Sequence, residues 1–485
     1  MSKLKHLEPA KLFYYFEEIT KIPRCSMHEE QIADYLCKFA KDRNLEHYRD
    51  SANNVIIVKK PSPGYEDVEP IILQGHMDMV CEKIFESKHD FSKDPIDFIV
   101  DRDLIIAKET TLGADNGVAV AMMLALLDEE NLQNPRLECL FTTNEESGMT
   151  GARNLDSSPL TAKRLINLDS EEEGVATVAC AGGQRSLLIY KIEREEFKDK
   201  RDFYELSISG LKGGHSGTSI DKGYANAIVR LARALYRLNE KFDIKLISIN
   251  GGVKENAIPR RASAKLAIKP EDLNEVRLLI IRLNAEYVKE LGKIDPDVRL
   301  NFEASQEEKY HYKDELKDKV ISVLNVIPNG VLTFSKDIPG LVESSSNLGV
   351  IREEDDELTI ISTLRSSRGS LKEFLSDKNK ILAEAFGAEY KVVSSYPEWQ
   401  YEDHSEVRDL VADSYLKLFN KNIEFYAIHG GLECAIFKET IGSIDMVSIG
   451  PSMSGIHAPG ESLSISSTKR VYELLKEVLK NTKDK

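Results

Sequence analysis

The 485-residue sequence predicts an α/β protein whose first domain, built on a mixed, mostly parallel sheet, is interrupted and later resumed. Three observations lead there. Helical and strand patterns alternate over the first 185 residues, as a sheet covered by helices on both faces requires. From about Leu187 the texture changes to longer charged helices and amphipathic strands, and after Tyr390 the compact α/β pattern returns. His457 in that last portion matches in chemistry a set of acidic and imidazole candidates that all lie before Ser170. The expected division is therefore a discontinuous domain formed by 1–186 and 391–485, around an α+β insertion over 187–390.

The elements follow in order. Helices are expected around Pro9 to Thr20 and from Glu29 to Asn44, and strands at NNVIIVKK, PIILQGHM, RLECLFTTN and KRLINLD. Between the second and third of these strands, GVAVAMMLALLDEE is an apolar helix that begins just after Asp115, which places that carboxylate at a helix N-terminus, where the backbone dipole favours an anion. In the middle segment YELSISG, IKLISING and ASAKLAIKP alternate as strands do. The segment reads as two related halves, each with strand, helix and strand, since FYELSISG…ANAIVRLARALYRL is loosely echoed by ELTIISTLRSS…LKEFLSDKNKILAEAF. The chain closes on a helix at TKRVYELLKEVLKN, and no low-complexity linker is visible.

Bulk properties bound the function. A net charge of −16 and a pI near 5.3 disfavour nucleic acid or an anionic membrane as partner. No segment reaches the roughly 18 apolar residues that span a bilayer, and the first residues lack the apolar core of a signal peptide. The six cysteines, Cys25, Cys37, Cys81, Cys139, Cys180 and Cys434, form no CxxC pair and read as reduced packing residues of a cytoplasmic protein.

The chemistry concentrates where strands end. His76 and Asp78 in QGHMD project to the same side of a strand. Taken alone, such a pair is more often structural than metal-binding. It gains weight from Asp115 in TTLGADNG, Glu145 and Glu146 in FTTNEESG, Asp169 in LINLDSEEEG and His457 in SGIHAPGE, which together could hold two metals. Asp78 is expected to orient His76 rather than touch metal. Of the adjacent Glu145 and Glu146, one can bind metal and the other face an attacking water. The run Glu171, Glu172, Glu173 reads instead as a solvated face. Two cations about 3.5 to 4 Å apart need a shared anion, and mixed His and carboxylate ligation suits zinc, with cobalt or manganese also able to bind.

These motifs, with CAGG and KGGHSG, resemble the M20 metallopeptidases, and among them the aminoacyl-histidine dipeptidase branch, in the correct order from about Glu8 to Lys480. The resemblance implies a zinc-peptidase catalytic domain interrupted by a lid and dimerisation domain, in a cytoplasmic homodimer acting on small peptides. It implies Asp115 as a bridging carboxylate, His76 and Asp169 on one metal, Glu146 and His457 on the other, Glu145 as general base and Asp78 as the orienter of His76. None of these seven positions departs from the family pattern, although Ala458 stands where Ser or Thr is commoner. The resemblance further implies that His215 reaches an active site, commonly that of the other subunit, to stabilise an oxyanion with positive charge. Asn256 is implied as a polar substrate contact and Arg365 as a clamp for the substrate carboxylate, with Arg368 competing for that role. HGGLECAIF reads as a glycine-rich turn into a helix, with His429 and Glu433 left without chemistry.

The expected activity is two-metal hydrolysis of dipeptides, Xaa-His included, by a water that Glu145 deprotonates. An aminoacylase, carboxypeptidase or tripeptidase of the same superfamily would share fold and ligands. A catalytically inert metal-binding scaffold is the reading of another class. The spare carboxylate at Glu145 argues against it.

Overall fold

The computed structural model describes residues 2–336 and 338–484. The chain divides into two compact units: Met1–Ala179 with Tyr401–Ala427 and Leu432–Lys485, and Cys180–Gln400 with Ile428–Gly431. The inserted unit is thus wider than the expected 187–390. Charge texture changes later than topology does: the strand Gly182–Lys191 begins before the texture shifts near Leu187, yet it pairs with Glu389–Tyr396 inside the second unit.

Among the described residues the first unit carries an eight-stranded sheet. Its order is Glu46–Arg49, Val55–Lys59, Leu137–Thr142, Ile71–His76, Arg164–Asn167, Asp445–Ser448, Val175–Cys180 and Glu424–Ile428. The middle pairings, from Leu137–Thr142 to Asp445–Ser448, are parallel, and pairing becomes antiparallel outward from them. Ile71–His76 and Leu137–Thr142 are buried at every residue, which is why they read as continuous apolar runs instead of alternating. The helix Ala114–Leu127 is also buried throughout, since it is apolar on all sides. It crosses the strand closely: a Cβ on Gly75 would lie 2.4 Å from Asn116 Oδ1. That close approach sets Asp115 against the end of the strand bearing His76.

The second unit is a nine-stranded sheet among the described residues, with Asp202–Ser209, Ala262–Ile268 and Lys245–Gly251 antiparallel in one half and Val342–Glu354, Glu357–Ser366 and Gly182–Lys191 in the other. Helices Ala227–Asn239, Leu273–Leu291 and Asp314–Val326 bury their apolar faces in one core with the sheet, through residues such as Leu206, Leu231, Leu266, Ile280 and Val320. Asn226 starts the first of these helices, its side chain accepting from the Ile228 and Val229 amides. The two segments that echo each other in sequence are both strand followed by helix, Asp202–Ser209 with Ala227–Asn239 and Glu357–Ser366 with Gly369–Phe386.

One expectation about the cysteines is overturned. Cys25 and Cys81 form a disulfide, with Cα atoms 5.7 Å apart across a sequence separation of 56. The cause is local packing: Cys25 bridges to Met79, and the Arg24 guanidinium donates to the Met77 and Asp78 carbonyls at 3.1 and 2.9 Å. These contacts draw the segment before the helix Glu30–Asp42 against the loop that follows His76. Cys139, Cys180 and Cys434 are buried, as packing residues are. No helix among the described residues is long and apolar enough to cross a membrane.

Candidate active site

The seven residues expected around the metals all lie in the first unit, and the structure brings them to the ends of its parallel strands. Asp115 is central. Its Oδ1 lies 3.0 Å from His76 Nε2, and its Oδ2 lies 3.2 Å from His457 Nε2. His76 Nε2 is also 3.3 Å from Asp169 Oδ1, and His457 Nε2 is 2.9 Å from Glu146 Oε1. The two oxygens of one carboxylate therefore face two separate His and carboxylate pairs. His76, Asp115 and Glu146 each offer a ligand atom, and these atoms lie within 4.8 Å of one another. Such a mixed imidazole and carboxylate set fits divalent cations.

Asp78 does more than its spacing announces. One carboxylate oxygen lies 3.3 Å from His76 Nδ1, the position of an orienting acceptor. The same carboxylate accepts the Glu145 and Glu146 amides at 3.1 and 3.3 Å and the Ser26 hydroxyl at 2.7 Å. It thus fixes both the imidazole and the turn that carries the glutamate doublet. Among the described residues the Glu145 carboxyl has no hydrogen-bond or ion-pair partner of its own.

Charge crowding shifts the titrations in opposite directions. Burial would lower His76, but Asp169, Asp115 and Asp78 hold it well above the usual imidazole range. Hydrogen bonds to Asp115 and Glu146 raise His457 to about 11. Burial would raise Asp115, yet the two histidines hold it below the usual carboxylate range. Burial pushes Glu145 well above that range against the pull of His76, with Asp169, Glu433 and Glu146 adding to the rise. Asp169 is raised to about 6 by burial, opposed by His76. A proton on the ligating nitrogen of either imidazole competes with a cation for that nitrogen.

Several residues that hold this site escaped the sequence reading. Glu461, only 2% exposed, accepts the backbone N–H groups of Leu112, Gly113, Ala114 and Asp115 at 2.7, 2.9, 2.8 and 3.2 Å. It closes the N-terminus of the helix that presents Asp115, and it stands four residues beyond His457 in the chain. Arg24, fully buried beside it, also donates to the Gly113 carbonyl, and burial lowers its guanidinium to about 10. Glu433 is buried beneath the site and accepts from Gln74 and Thr142. Burial pushes Glu433 up to about 8, opposed by His76. An acid after Pro459-Gly460 and an arginine after a proline read as turn residues, so no local signal marks them.

The acidic run after Asp169 is only partly a solvated face. Glu172 is exposed, but burial, with Asp115 and Asp169 adding to it, raises Glu171 to about 7 beside the site, and Glu173 receives Arg470 Nε at 2.8 Å and the Tyr415 hydroxyl. It ties the terminal helix to the sheet.

The remaining candidates lie in the second unit. His215 and Asn256 are neighbours there: Gly214–His215 pairs with Ala257–Ile258, and the Ser216 amide donates to the Asn256 carbonyl at 2.9 Å. His215 Nδ1 accepts the Gly217 and Thr218 amides, which leaves the proton on Nε2. Burial, then Arg365, lowers its pKa, which favours the neutral ring. Arg365 is buried, meets the Tyr396 hydroxyl at 2.7 Å, and among the described residues pairs with no carboxylate. Arg368 is exposed and ion-paired with Glu343 at 2.8 Å. His429 is buried with its Nε2 2.7 Å from the Ser345 hydroxyl, a local structural partner.

An α/β unit that gathers two histidines and a row of carboxylates around one two-faced aspartate at its strand ends has the form of a metallohydrolase centre. The chain belongs to peptidase family M20/M25/M40, whose pattern it matches over residues 72–481. It is 38% identical over 480 residues to the cytosol non-specific dipeptidase of Escherichia coli strain K12, covering 99% of both chains. The crystal structure of aminoacylhistidine dipeptidase from Vibrio alginolyticus is similar with a TM-score of 0.91 at 34% identity, over 99% of this chain and 98% of that one. Aminopeptidase PepT from Bacillus cereus shares the fold, with a TM-score of 0.57 and 16% identity over 98% of this chain and 99% of that one.

Proposed function

We propose that this chain is a metal-dependent dipeptidase of broad specificity that includes Xaa-His. The observation that carries the reading is Asp115, whose two oxygens face His76 with Asp169 on one side and His457 with Glu146 on the other. These five residues would hold two divalent cations, zinc by preference. When bound, the cations polarise the scissile carbonyl and make water a stronger acid.

The chain's own residues then direct the proton. Glu145 sits outside the ligand row, with its unpartnered carboxyl beside it, the position a general base needs. It takes a proton from the attacking water and delivers it to the leaving amine. Asp78 keeps the Glu145 amide and the His76 ring in register while this happens. In the second unit, Arg365 has the unpaired guanidinium that a free carboxylate seeks, His215 the neutral N–H that an oxyanion accepts, and Asn256 a polar group beside it. His215 acting across a homodimer, and residence in the cytoplasm, belong to the same reading and are supported by the names of the relatives and the resemblance at GGHSG.

A panel of dipeptides, N-acylated amino acids and tripeptides, run on metal-stripped protein before and after zinc, cobalt or manganese is restored, tests it. Metal-dependent cleavage of dipeptides, with acylated and longer substrates untouched, is the expected result. Cleavage of acylated amino acids or tripeptides in place of dipeptides would move the chain to another activity of the family.

A further inference from the structure

A chain of fully buried polar side chains lies one step below the row of candidate ligands. Ile71–His76 and Arg164–Asn167 are parallel neighbours with Gln74 opposite Asn167. Side chains two apart share a face of a strand, so Gln74 underlies His76, and Asn167 leads directly to Asp169. Asn167 Nδ2 donates to Gln74 Oε1 at 2.6 Å, and Asn167 Oδ1 accepts the Asp169 amide at 3.3 Å. Gln74 Nε2 donates onward to Glu433 Oε2 at 2.7 Å and to the Thr142 hydroxyl at 3.0 Å, and that hydroxyl donates to the same Glu433 oxygen at 2.8 Å. Gln74, Thr142, Asn167 and Glu433 are all 0% exposed. Glu433 is the acceptor on which the donors of this chain end.

We infer that Glu433 is a positioning residue for the metal centre: through Gln74 and Asn167 it fixes the spacing of His76 and Asp169, and so tunes one of the two cation sites. The inference rests on the proposed function for its two-metal centre. Its logic is the fixed sense of the hydrogen bonds. A carboxyl oxygen that accepts from both Gln74 and Thr142 dictates which end of the Gln74 amide faces Asn167. Without that acceptor the Gln74 amide is held in this sense only by Asn167 Nδ2 and the Thr142 hydroxyl, Asn167 itself being pinned by the Ser448 hydroxyl, and the rung between the two strands loosens. Among the described residues the Glu433 Oε1 atom has no hydrogen-bond partner, so the carboxyl is held there by one oxygen. Complete burial favours its neutral form. A glutamine in its place can still present one acceptor oxygen to both donors, whereas a leucine cannot.

The test is titration of the metal-stripped full chain with Co2+, followed by its visible absorption, in wild type, Glu433→Gln and Glu433→Leu. Partners behind metal ligands commonly change metal affinity by roughly 10- to 100-fold. The expected result is one binding phase weakened by about that factor in Glu433→Leu, the other phase within about twofold of wild type, and Glu433→Gln close to wild type. Gln74→Met should reproduce the one-phase loss, and it carries the test if Glu433→Leu does not fold. Unchanged affinity in both phases, or equal weakening of both together with a lowered melting temperature, would overturn the inference. If wild type itself shows no two-phase uptake, the two-metal reading fails instead.

Discussion

Glu461→Ala isolates what holds Asp115 in place. The glutamate side chain accepts four amide hydrogen bonds of 2.7 to 3.2 Å at the start of the helix Ala114–Leu127, in a site where it is 2% exposed. Each buried donor left without a partner costs about 1–3 kcal/mol, so four would give about 4–12 kcal/mol if nothing relaxed. Alanine opens room for water at this helix end, so the lower end of that range applies. Loss of an N-terminal cap costs about 0.5–2 kcal/mol, and the buried Arg24 also loses the attraction of the Glu461 carboxylate. We therefore expect about 4 kcal/mol of destabilisation for Glu461→Ala. Glu461→Gln keeps the shape and one acceptor oxygen and should lose about half as much. Urea unfolding of the metal-free protein measures this, and metal titration of the same samples should show weakened uptake because Asp115 is no longer held. Both variants falling within about 1 kcal/mol of wild type, with unaltered metal affinity, would refute the reasoning.

Two further outcomes follow from the same geometry. The proposed ligands His76 and His457 are raised, so the metal-free site carries protons at neutral pH that cations must displace. Metal uptake should release protons and apparent affinity should rise with pH between about 6 and 8; calorimetry in buffers of different ionisation heat reads both, and an affinity that is flat or falls would contradict the assignment. The Cys25–Cys81 disulfide closes a loop with a sequence separation of 56, for which the chain-entropy relation gives up to about 4 kcal/mol. Protein unfolded without reductant should titrate four of its six thiols and unfold more readily once reduced; six reactive thiols before reduction would show that the bond does not form.

Much of this molecule is legible from its sequence because its informative elements are local. PIILQGHM and RLECLFTTN read as buried strands, and the ligand candidates stand just past strand ends, where a parallel sheet presents its loops. The apolar helix after Asp115 announces itself in the same way. What stayed hidden depends on residues distant in the chain. Glu461 meets Leu112 across 349 positions and Glu433 meets Gln74 across 359, and neither leaves a periodicity to read. The pairing of Cys25 with Cys81 is set by how Arg24 grips the loop after His76, not by spacing. The lowered pKa of His215 comes from burial and from Arg365, which no motif encodes. Asp78 was legible as a partner of His76, but its grip on the Glu145 and Glu146 amides emerges only when the strands Ile71–His76 and Leu137–Thr142 lie side by side.

In this mechanism Glu145 is a base and not a ligand. Glu145→Gln, loaded with zinc and assayed on a dipeptide such as one ending in histidine, tests this most directly when metal content is measured on the same sample. We predict full metal occupancy with kcat reduced by roughly 10²–10⁴-fold, the range of general base catalysis. A variant that turns over like wild type, or one that loses activity only because it has lost metal, would contradict it.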